Sequence, residues 1–298
     1  EARVHDFARL VRAAEKLPWH RFAASPTRLV ISVTTHRSRL YHTGAIAERV
    51  RAAAAKSLAL TDDPGAPILS ILVRGENDRF TFSVDSSGEL LHRRGYRTDV
   101  HKAPLRETLA AGILALAGWT PATPLVDPMC GSGTFVLEAA LLALGRPPGA
   151  QRTFAFQSWP GYDPARFRQV IEHASRGVVS SLQAPIWGSD RDARAIEAAR
   201  ANAARAGLTE PVRLSQCDAA DLELPPGPGL IICNLPYGQR VERRQSSAAL
   251  GALARRAPAW RLAILTNDPT IARTIGRRVE AEHPLTNGGI RVRLVVLS

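Results

Sequence analysis

The sequence predicts an α/β protein, with a parallel sheet and crossover helices from about residue 95 onward and a smaller α+β unit before it. Three observations lead to this prediction. Strand and helix patterns alternate after residue 95, as they do in parallel sheets. A glycine-rich turn joins a short buried strand to a helix at residues 127–134. Polar residues follow several predicted strands, as expected where an open sheet binds a ligand.

The composition excludes several classes of protein. Of the 298 residues, 45% are hydrophobic and 22% are charged, which excludes a largely disordered chain. The apolar runs are shorter than the roughly 18 residues of a membrane span, and no signal sequence is visible. Cys130, Cys217 and Cys233 lack the spacing of zinc ligands or of a Cys-x-x-Cys pair. We therefore expect a reduced, cytoplasmic protein with no membrane segment and no structural metal.

The charge is positive and unevenly distributed. The chain has 39 basic and 27 acidic residues, a net charge of +12. Residues 1–100 carry +5, residues 101–239 are neutral and residues 240–298 carry +7. A neutral middle between basic ends suggests a small-molecule site flanked by surfaces that bind a polyanion. A soluble protein with a high isoelectric point is the alternative.

Hydrophobic periodicity and turn residues place the elements. In the first hundred residues they predict helices at 3–17 and 45–60 and strands at 28–33, 68–73, 79–84 and 89–92. Farther along, they predict helices at 105–117, 134–144, 164–176 and 192–206. The strands of this part are predicted at 124–127, 186–190, 212–216, 229–234 and 260–267, with a final antiparallel pair at 277–282 and 290–297. Residues 146–184 interrupt the alternation as an insertion.

The strongest local signal is the segment Asp127–Thr134, with the sequence DPMCGSGT, followed by an apolar helix. Gly131 and Gly133 let the backbone approach a ligand closely, and the helix N-terminus offers free N–H groups. The segment is not a phosphate-binding P-loop, because no Gly-Lys-Ser/Thr follows. It predicts a site for a nucleotide-like cofactor, and a purely structural turn is the alternative.

Two further carboxylates follow predicted strands. Asp190 ends the strand 186–190 and could accept hydrogen bonds from both hydroxyls of a ribose. Capping of the next helix, by Asp190 or by Asp192, is the alternative. Asp218 follows the strand 212–216 and could accept a hydrogen bond from an adenine amine, or it could lie in a surface loop.

The second strong signal is Asn234-Leu235-Pro236-Tyr237-Gly238, directly after a predicted strand. It resembles the Asn-Pro-Pro-Tyr motif of methyltransferases that act on exocyclic amines. An Asn side-chain oxygen and a neighbouring backbone carbonyl can accept the two N–H bonds of such an amine and aim its nitrogen. An aromatic side chain can stack on the flipped base. A tight turn with a buried tyrosine is the alternative.

The chain as a whole resembles the THUMP-domain RNA guanine-N2 methyltransferases, most closely those that act on 23S ribosomal RNA. The matching segments occur in the family's order: His92–Arg97, Ala103–Ala110, Asp127–Thr134, Gly188–Asp192, Asn234–Gly238 and Asn287-Gly288. Residues 1–91 match less sharply and look like the later part of a THUMP unit. Leu235 departs from the motif, where a proline is usual.

This resemblance implies a partial THUMP-like RNA-binding domain over residues 1–94. It implies a Rossmann-like class I methyltransferase domain, with a seven-stranded and mostly parallel sheet, over residues 95–298. S-adenosylmethionine would be the methyl donor. Matched residue by residue, the donor would be bound by Thr108, Asp127, Gly131, Gly133, Asp190 and Asp218. The catalytic clamp on the amine would be Asn234, Leu235, Pro236 and Tyr237.

The resemblance also places candidate contacts with RNA. Arg97 and Lys102 lie on the linking segment and would hold RNA phosphates or be solvated charges. The helix 45–60, which carries Arg49, Arg51 and Lys56, is a candidate surface for folded RNA or an ordinary solvated helix. Trp159, in the insertion, is expected to pack rather than to contact RNA.

The leading hypothesis is therefore methylation of a guanine N2 amine in 23S ribosomal RNA. The first alternative keeps this chemistry and has transfer RNA as its substrate. The others are an adenine-N6 DNA methyltransferase and a non-catalytic RNA-binding protein.

Overall fold

A computed structural model describes residues 1–23, 26–98, 105–236 and 240–298. Lys102 and Tyr237 therefore lie outside the described residues. The chain divides into two compact units, which we describe separately. Unit 1 comprises Glu1–Leu90 and Thr153–Val170, and unit 2 comprises Leu91–Arg152 and Ile171–Ser298. The predicted domain boundary after residue 94 stays a prediction. The compact units differ from it in two respects, because the first part of unit 1 ends at Leu90 and Thr153–Val170 belongs with unit 1.

Unit 1 contains a four-stranded sheet with the order β1-β4-β3-β2. Its elements are β1 (Ala2–Arg3), α1 (Phe7–Glu15), β2 (Arg28–His36), α2 (Thr43–Ala55), β3 (Ile68–Glu76) and β4 (Arg79–Val84), with a short 3₁₀ turn at Trp19–Arg21. β2 and β3 are parallel, and the other pairs are antiparallel. Asp6 caps the N-terminus of α1, because its carboxylate accepts a hydrogen bond from the backbone N–H of Arg9 at 2.8 Å. The apolar faces of α1, α2 and the sheet form the core of this unit.

One predicted strand of unit 1 is wrong. Residues 89–92 form no strand, and the edge position beside β4 is taken by β1, which pairs Ala2 with Phe80. A two-residue strand next to a helix leaves no periodicity in the sequence by which it could be recognised.

Unit 2 contains a seven-stranded mixed sheet with helices around it. Its strands are β5 (Leu125–Asp127), β6 (Ile186–Asp190), β7 (Val212–Gln216), β8 (Leu230–Asn234), β9 (Arg261–Thr266), β10 (Val279–Asn287) and β11 (Ile290–Leu297). Its helices are α3 (Glu107–Leu116), α4 (Thr134–Ala143), α6 (Ala193–Arg205), α7 (Arg240–Arg256) and α8 (Ile271–Ile275). A further helix, α5 (Pro164–Ser175), lies at the end of the segment that belongs with unit 1.

The strand order of this sheet is β10-β11-β9-β8-β5-β6-β7. The five strands from β9 to β7 are parallel, and β10 and β11 are antiparallel at one edge. Central strands such as Leu230–Asn234 are apolar up to their last residue because the sheet is covered on both faces by two apolar clusters. This confirms the predicted Rossmann-like α/β fold with a seven-stranded, mostly parallel sheet.

Two helices of unit 2 were not predicted. The first half of α7 is charged and polar, so its apolar stripe is confined to the second half, and α8 has only five residues, too few to show a period. Within the residues that the structure describes, no helix is both long and apolar enough to cross a membrane. The same residues contain no cluster of three side chains suited to hold a metal ion.

Candidate active site

The candidate site lies at the carboxyl edge of the unit 2 sheet, where the direction of strand connection reverses. β5 lies between β6 and β8. From β5 the chain leads to β6 and β7 on one side, and then to β8 and β9 on the other. Ligands of open α/β sheets bind in the crevice that forms at such a point. Asp127, Asp190 and Asn234 end β5, β6 and β8, so these predicted site residues share one edge of the sheet.

The glycine-rich loop between β5 and α4 is fixed by hydrogen bonds at both ends. The Asp127 carboxylate accepts a hydrogen bond from the backbone N–H of Met129 at 3.1 Å. The N–H of Cys130 donates to the carbonyl of Ser189 on β6 at 2.9 Å, and the N–H of Gly133 donates to the carbonyl of Cys130 at 2.8 Å. The loop is therefore a preformed wall of the crevice.

The structure separates the two roles that the sequence left open for Asp190. One carboxylate oxygen of Asp190 accepts from the N–H of Gly131 at 2.9 Å, and the other accepts from the N–H of Asp192 at 2.9 Å. Asp192 is the residue that caps α6, since its carboxylate accepts from the N–H of Arg194 at 2.9 Å. A carboxylate has about four acceptor positions, so Asp190 joins the two loops and still has acceptor capacity for a ligand.

The two glycines of the loop differ in what surrounds them. Both have left-handed backbone angles, with φ of +53° at Gly131 and +87° at Gly133. A Cβ added at Gly133 would lie 3.3 Å from the Cβ of Ala199, so this position packs against α6. A Cβ added at Gly131 would meet nothing within 4 Å. Open space at the residue that donates to Asp190 fits the close approach of a bound nucleoside.

We expect alanine at these two glycines to have different effects. Each variant suffers about 1–2 kcal/mol of backbone strain, since an L-residue disfavours the left-handed region. Gly131→Ala should in addition weaken binding of the methyl donor about tenfold, the equivalent of 1.4 kcal/mol, because its methyl group enters the open space. Titration calorimetry and thermal unfolding measure the two effects. Equal donor affinity in both variants would contradict this assignment of Gly131.

Asp127 is a buried acid whose charge depends on its surroundings. Burial raises the pKa of the Asp127 carboxyl well above its usual range, the hydrogen bond from Met129 opposes this, and the nearby charge of Asp190 adds to it. A positive charge beside Asp127 would stabilise its ionised form. Burial also raises the pKa of the Cys130 thiol well above its usual range, so this cysteine is not an activated nucleophile.

The predicted amine clamp follows β8, the neighbour of β5 on the other side of the crevice. Asn234 is partly buried at the end of the strand, Leu235 is fully buried and its N–H donates to the carbonyl of Leu265 at 3.0 Å. Pro236 follows and is partly buried. The backbone of Leu235 is thus held by β9, which lies next to β8. The fourth predicted member, Tyr237, is outside the described residues.

Two other predicted donor-binding residues stay predictions. Asp218 is partly buried in the loop after β7, where its carboxylate accepts from the N–H of Ala220 at 2.9 Å. The same loop joins the Asp190 region, because the N–H of Cys217 donates to the carbonyl of Asp190 at 3.1 Å. Thr108 is exposed in the first turn of α3. Its neighbour Glu107 is 2% exposed, and the Oε2 atom of Glu107 has no hydrogen-bond partner among the described residues.

The structure gives Arg97 partners within unit 2. Its side chain is 8% exposed and lies 3.3 Å from the Glu107 carboxylate. The guanidinium also donates to the carbonyl of Leu105 and, at 3.1 Å, to the hydroxyl of Thr134. Arg97 is therefore not a solvated charge, and its predicted contact with an RNA phosphate stays a prediction. Arg97 joins the N-terminus of α3 to the N-terminus of α4, directly after the glycine-rich loop. Lys102 is outside the described residues.

Asn267 is not among the residues predicted for the site. This residue follows β9, and its Oδ1 atom is buried without a hydrogen-bond partner among the described residues. The register pairs Asn234 with Leu265, two residues before Asn267, so a second amide lies near the end of the strand beside the clamp. A signal was present in the sequence, since Asn267 ends its predicted strand as Asn234 does.

Comparison with known proteins establishes the family. The sequence profile described as "RMKL-like, methyltransferase domain" matches residues 94–295. The chain belongs to this family. A curated relative from Synechocystis sp., "Putative RNA methyltransferase slr0064", is 36% identical over 96% of this chain and 78% of its own length. The "Ribosomal RNA large subunit methyltransferase K/L" of Syntrophotalea carbinolica is 35% identical over 99% of this chain, which spans 44% of that longer protein.

Solved structures of other proteins share the fold over nearly the whole chain. The crystal structure of SMU.472, "a putative methyltransferase complexed with SAH", has a TM-score of 0.89 and 30% identity, covering 99% of this chain and 81% of that one. A structure from Listeria monocytogenes, titled "a predicted N6-adenine-specific DNA methylase", has the same TM-score at 28% identity, covering 99% of this chain and 79% of that one. These relatives are thus all described as methyltransferases or methylases, but the nucleic acid named for them is RNA in two cases and DNA in another.

Proposed function

We propose that this RMKL-like methyltransferase transfers a methyl group from S-adenosylmethionine to the exocyclic N2 amine of a guanine in 23S ribosomal RNA. One observation carries the proposal. The segment Asn234–Pro236 and the glycine-rich loop that holds Asp190 lie at the carboxyl ends of adjacent parts of one sheet, so the two halves of the reaction can meet in one crevice. Cytoplasmic location is part of the same proposal, because ribosomal RNA is the substrate.

The donor site rests on residues that suit S-adenosylmethionine. Asp190 has acceptor capacity for ribose hydroxyls, and the open space at Gly131 admits a nucleoside. The buried Asp127 suits the positive charges of the methionine part. The relative SMU.472 was crystallised with SAH, the demethylated form of this donor. When bound, S-adenosylmethionine supplies an electrophilic methyl carbon attached to a sulfonium centre.

The acceptor half of the reaction depends on Asn234 and Leu235. The lone pair of a guanine N2 amine is delocalised into the ring, so the nitrogen is a weak nucleophile. The Asn234 side-chain oxygen and the Leu235 carbonyl accept its two N–H bonds, orient the lone pair and stabilise the positive charge that develops on nitrogen. As the new N–C bond forms, the electron pair of the old bond stays with sulfur, and the nitrogen then releases a proton to water. Tyr237 stacks on the base in this proposal.

Asp190→Ala should weaken donor binding. The variant removes a charged acceptor and releases Gly131, and hydrogen bonds to charged groups contribute about 1.5–3 kcal/mol. We therefore expect the dissociation constant for S-adenosylhomocysteine, measured by titration calorimetry, to rise by about 10–100-fold. Asp192→Ala is the matched control, because it removes a carboxylate that caps α6. It should cost about 1 kcal/mol of stability and leave donor affinity unchanged, and a similar loss of affinity in both variants would count against the role of Asp190.

The substrate is tested by methylation in vitro. We would incubate the protein with isotopically labelled S-adenosylmethionine and, separately, 23S ribosomal RNA, transfer RNA and duplex DNA. Digestion to nucleosides and mass spectrometry then identify the methylated atom. N2-methylguanosine from 23S RNA supports the proposal, and the same nucleoside from transfer RNA alone changes the substrate. N6-methyladenine from DNA would replace the proposal with the DNA methylase activity predicted for the Listeria protein, and no transfer at all would favour a non-catalytic RNA-binding protein.

Unit 1 is the RNA-binding part in this proposal, as a THUMP-like domain. The candidate surface on α2 requires revision. Arg51 donates to the carbonyl of Leu29, Lys56 forms an ion pair with Glu15, and Arg49 lies over the ring of Phe7 at 5.4 Å. All three cations thus have partners within unit 1, which weakens the case for α2 as the surface that holds phosphates.

A further inference from the structure

A cavity in unit 1, apart from the α2 surface, has no role in the proposed reaction. Its volume is about 1110 Å³, slightly more than the roughly 300–1,000 Å³ of ordinary small-molecule pockets. It is a wide groove rather than a closed cage, so an extended ligand suits it better than a compact one. The residues that line it come from the 3₁₀ turn Trp19–Arg21, the end of β4 and the segment Thr153–Val170.

Aromatic side chains dominate the groove. Phe22, Phe156, Trp159, Tyr162 and Phe167 all line it, and each is only partly buried. Their rings contact one another: Trp159 lies 5.1 Å from Phe22 in an edge-to-face arrangement, and Phe156 lies 5.4 Å from Phe167. The predicted packing role of Trp159 is thus present, and part of the indole still faces the groove. Partly exposed aromatic rings are the platforms on which unpaired bases stack.

The rim of the groove is cationic. His20, Arg21 and Arg166 line it and are exposed, and their side chains form no hydrogen bond or ion pair with any other residue that the structure describes. The single carboxylate of the lining, Asp163, is already engaged, since it accepts from the N–H groups of Ala165 and Arg166 at 2.9 and 3.1 Å. The arginines of the rim are therefore available to an anion, in contrast to the cations on α2.

The segment is anchored to unit 1 and so can serve as a rigid platform. The N–H of Phe156 donates to the carbonyl of Ser86, after β4, at 3.2 Å. Gln157 accepts from the N–H of Phe154 at 2.6 Å and donates to the hydroxyl of Tyr162 at 3.2 Å. These bonds hold the aromatic residues in place before any ligand binds, which lowers the entropic cost of binding.

We propose that this groove binds a single-stranded segment of the RNA substrate, with one or more unpaired bases stacked on Trp159 and its aromatic neighbours and a phosphate held by Arg166. The cationic rim and the aromatic lining together favour a nucleic acid strand. An apolar protein segment is less suitable, because it would leave the arginines without partners. The inference rests on the proposed RNA substrate, and it adds a second contact distant in sequence from the amine clamp.

The test uses the full chain and a fluorescently labelled 12-nucleotide single-stranded RNA, with an RNA duplex for comparison. Trp159→Leu should raise the dissociation constant for the single strand by about 5–100-fold, as expected for the loss of one stacked base. Arg166→Ala should raise the dissociation constant less. It should also reduce the slope of log affinity against log salt concentration by about one, the change expected for the loss of one phosphate contact. Arg168→Ala is the matched control, because Arg168 lies on the same helix, is exposed and does not line the groove.

Unchanged affinity in both Trp159→Leu and Arg166→Ala would overturn the proposal, as would an equal loss in Arg168→Ala. Binding of an apolar peptide that RNA fails to displace would assign the groove to a protein partner instead. Circular dichroism and thermal unfolding verify that each variant is folded. The binding measurement is separate from methyl transfer. If the protein methylates no RNA but the variants still lose affinity for the single strand, this inference stands and the proposed function is refuted. For an active protein, Trp159→Leu should raise KM and leave kcat unchanged.

Discussion

Asn234→Ala should reduce methyl transfer by about 100–1000-fold while leaving the affinity for the donor nearly unchanged. Removal of one preorganised polar group that stabilises developing charge has an effect of this size. Asn234 ends β8, and Asp190, the carboxylate predicted to bind the donor, ends β6, so one strand, β5, separates the strand ends they occupy. The measurement is a single-turnover rate with saturating RNA, together with a calorimetric titration of S-adenosylhomocysteine. The loss should appear in kcat, since the interaction acts mainly in the transition state.

Asn267→Ala is an informative comparison for this experiment. It makes the same chemical change at the end of β9, the strand beside β8. We expect a smaller loss of activity, because Asn267 lies one strand farther from the glycine-rich loop. Asn234→Asp keeps a side-chain oxygen in the accepting position and should retain more activity than the alanine variant. Wild-type rates in Asn234→Ala would exclude the clamp, and a lower donor affinity equal to that of Asp190→Ala would place Asn234 in the donor site.

The place of the candidate site in unit 2 could be predicted because its residue types and its strand ends are visible in the sequence. Asp127, Asp190 and Asn234 each follow an apolar strand, and parallel strands bring their carboxyl ends to one edge. The seven-stranded sheet follows from the same alternation of strand and helix. What the alternation does not contain is strand order, so the position of β5 between β6 and β8 became visible only in the structure.

Side-chain partners could not be predicted from the sequence. The sequence does not distinguish a paired basic residue from a free one. The partners of four such residues lie far away in the chain or on another element: Arg49, Arg51, Lys56 and Arg97. Arg51 contacts residue 29 and Lys56 contacts residue 15. The same limit hid the groove of unit 1, because Phe22 and Trp159 are 137 positions apart and meet at 5.1 Å. Tertiary packing decides which cations are free, and composition alone reports only their number.

Arg97→Met should lower the free energy of unfolding by about 3–5 kcal/mol, the usual result when one member of a buried ion pair is removed. Glu107 is 2% exposed, so without Arg97 its carboxylate would stay buried with no compensating charge. The hydroxyl of Thr134 and the carbonyl of Leu105 would lose their donor as well. Urea unfolding, followed by circular dichroism, measures the loss. The control is Arg106→Met, which changes an exposed residue directly before α3. Its free energy of unfolding should stay within about 0.5 kcal/mol of wild type.

A second measurement on the same variant separates the structural role of Arg97 from the phosphate contact expected from the sequence. A phosphate ligand contributes to the salt dependence of RNA affinity, and its removal reduces the slope by about one. Since Arg97 is buried and paired with Glu107, the slope for Arg97→Met should equal that of wild type. The double variant Arg97→Met/Glu107→Leu should recover much of the lost stability, because it removes both charges together. A reduced slope with unchanged stability would restore the phosphate contact and refute the buried ion pair.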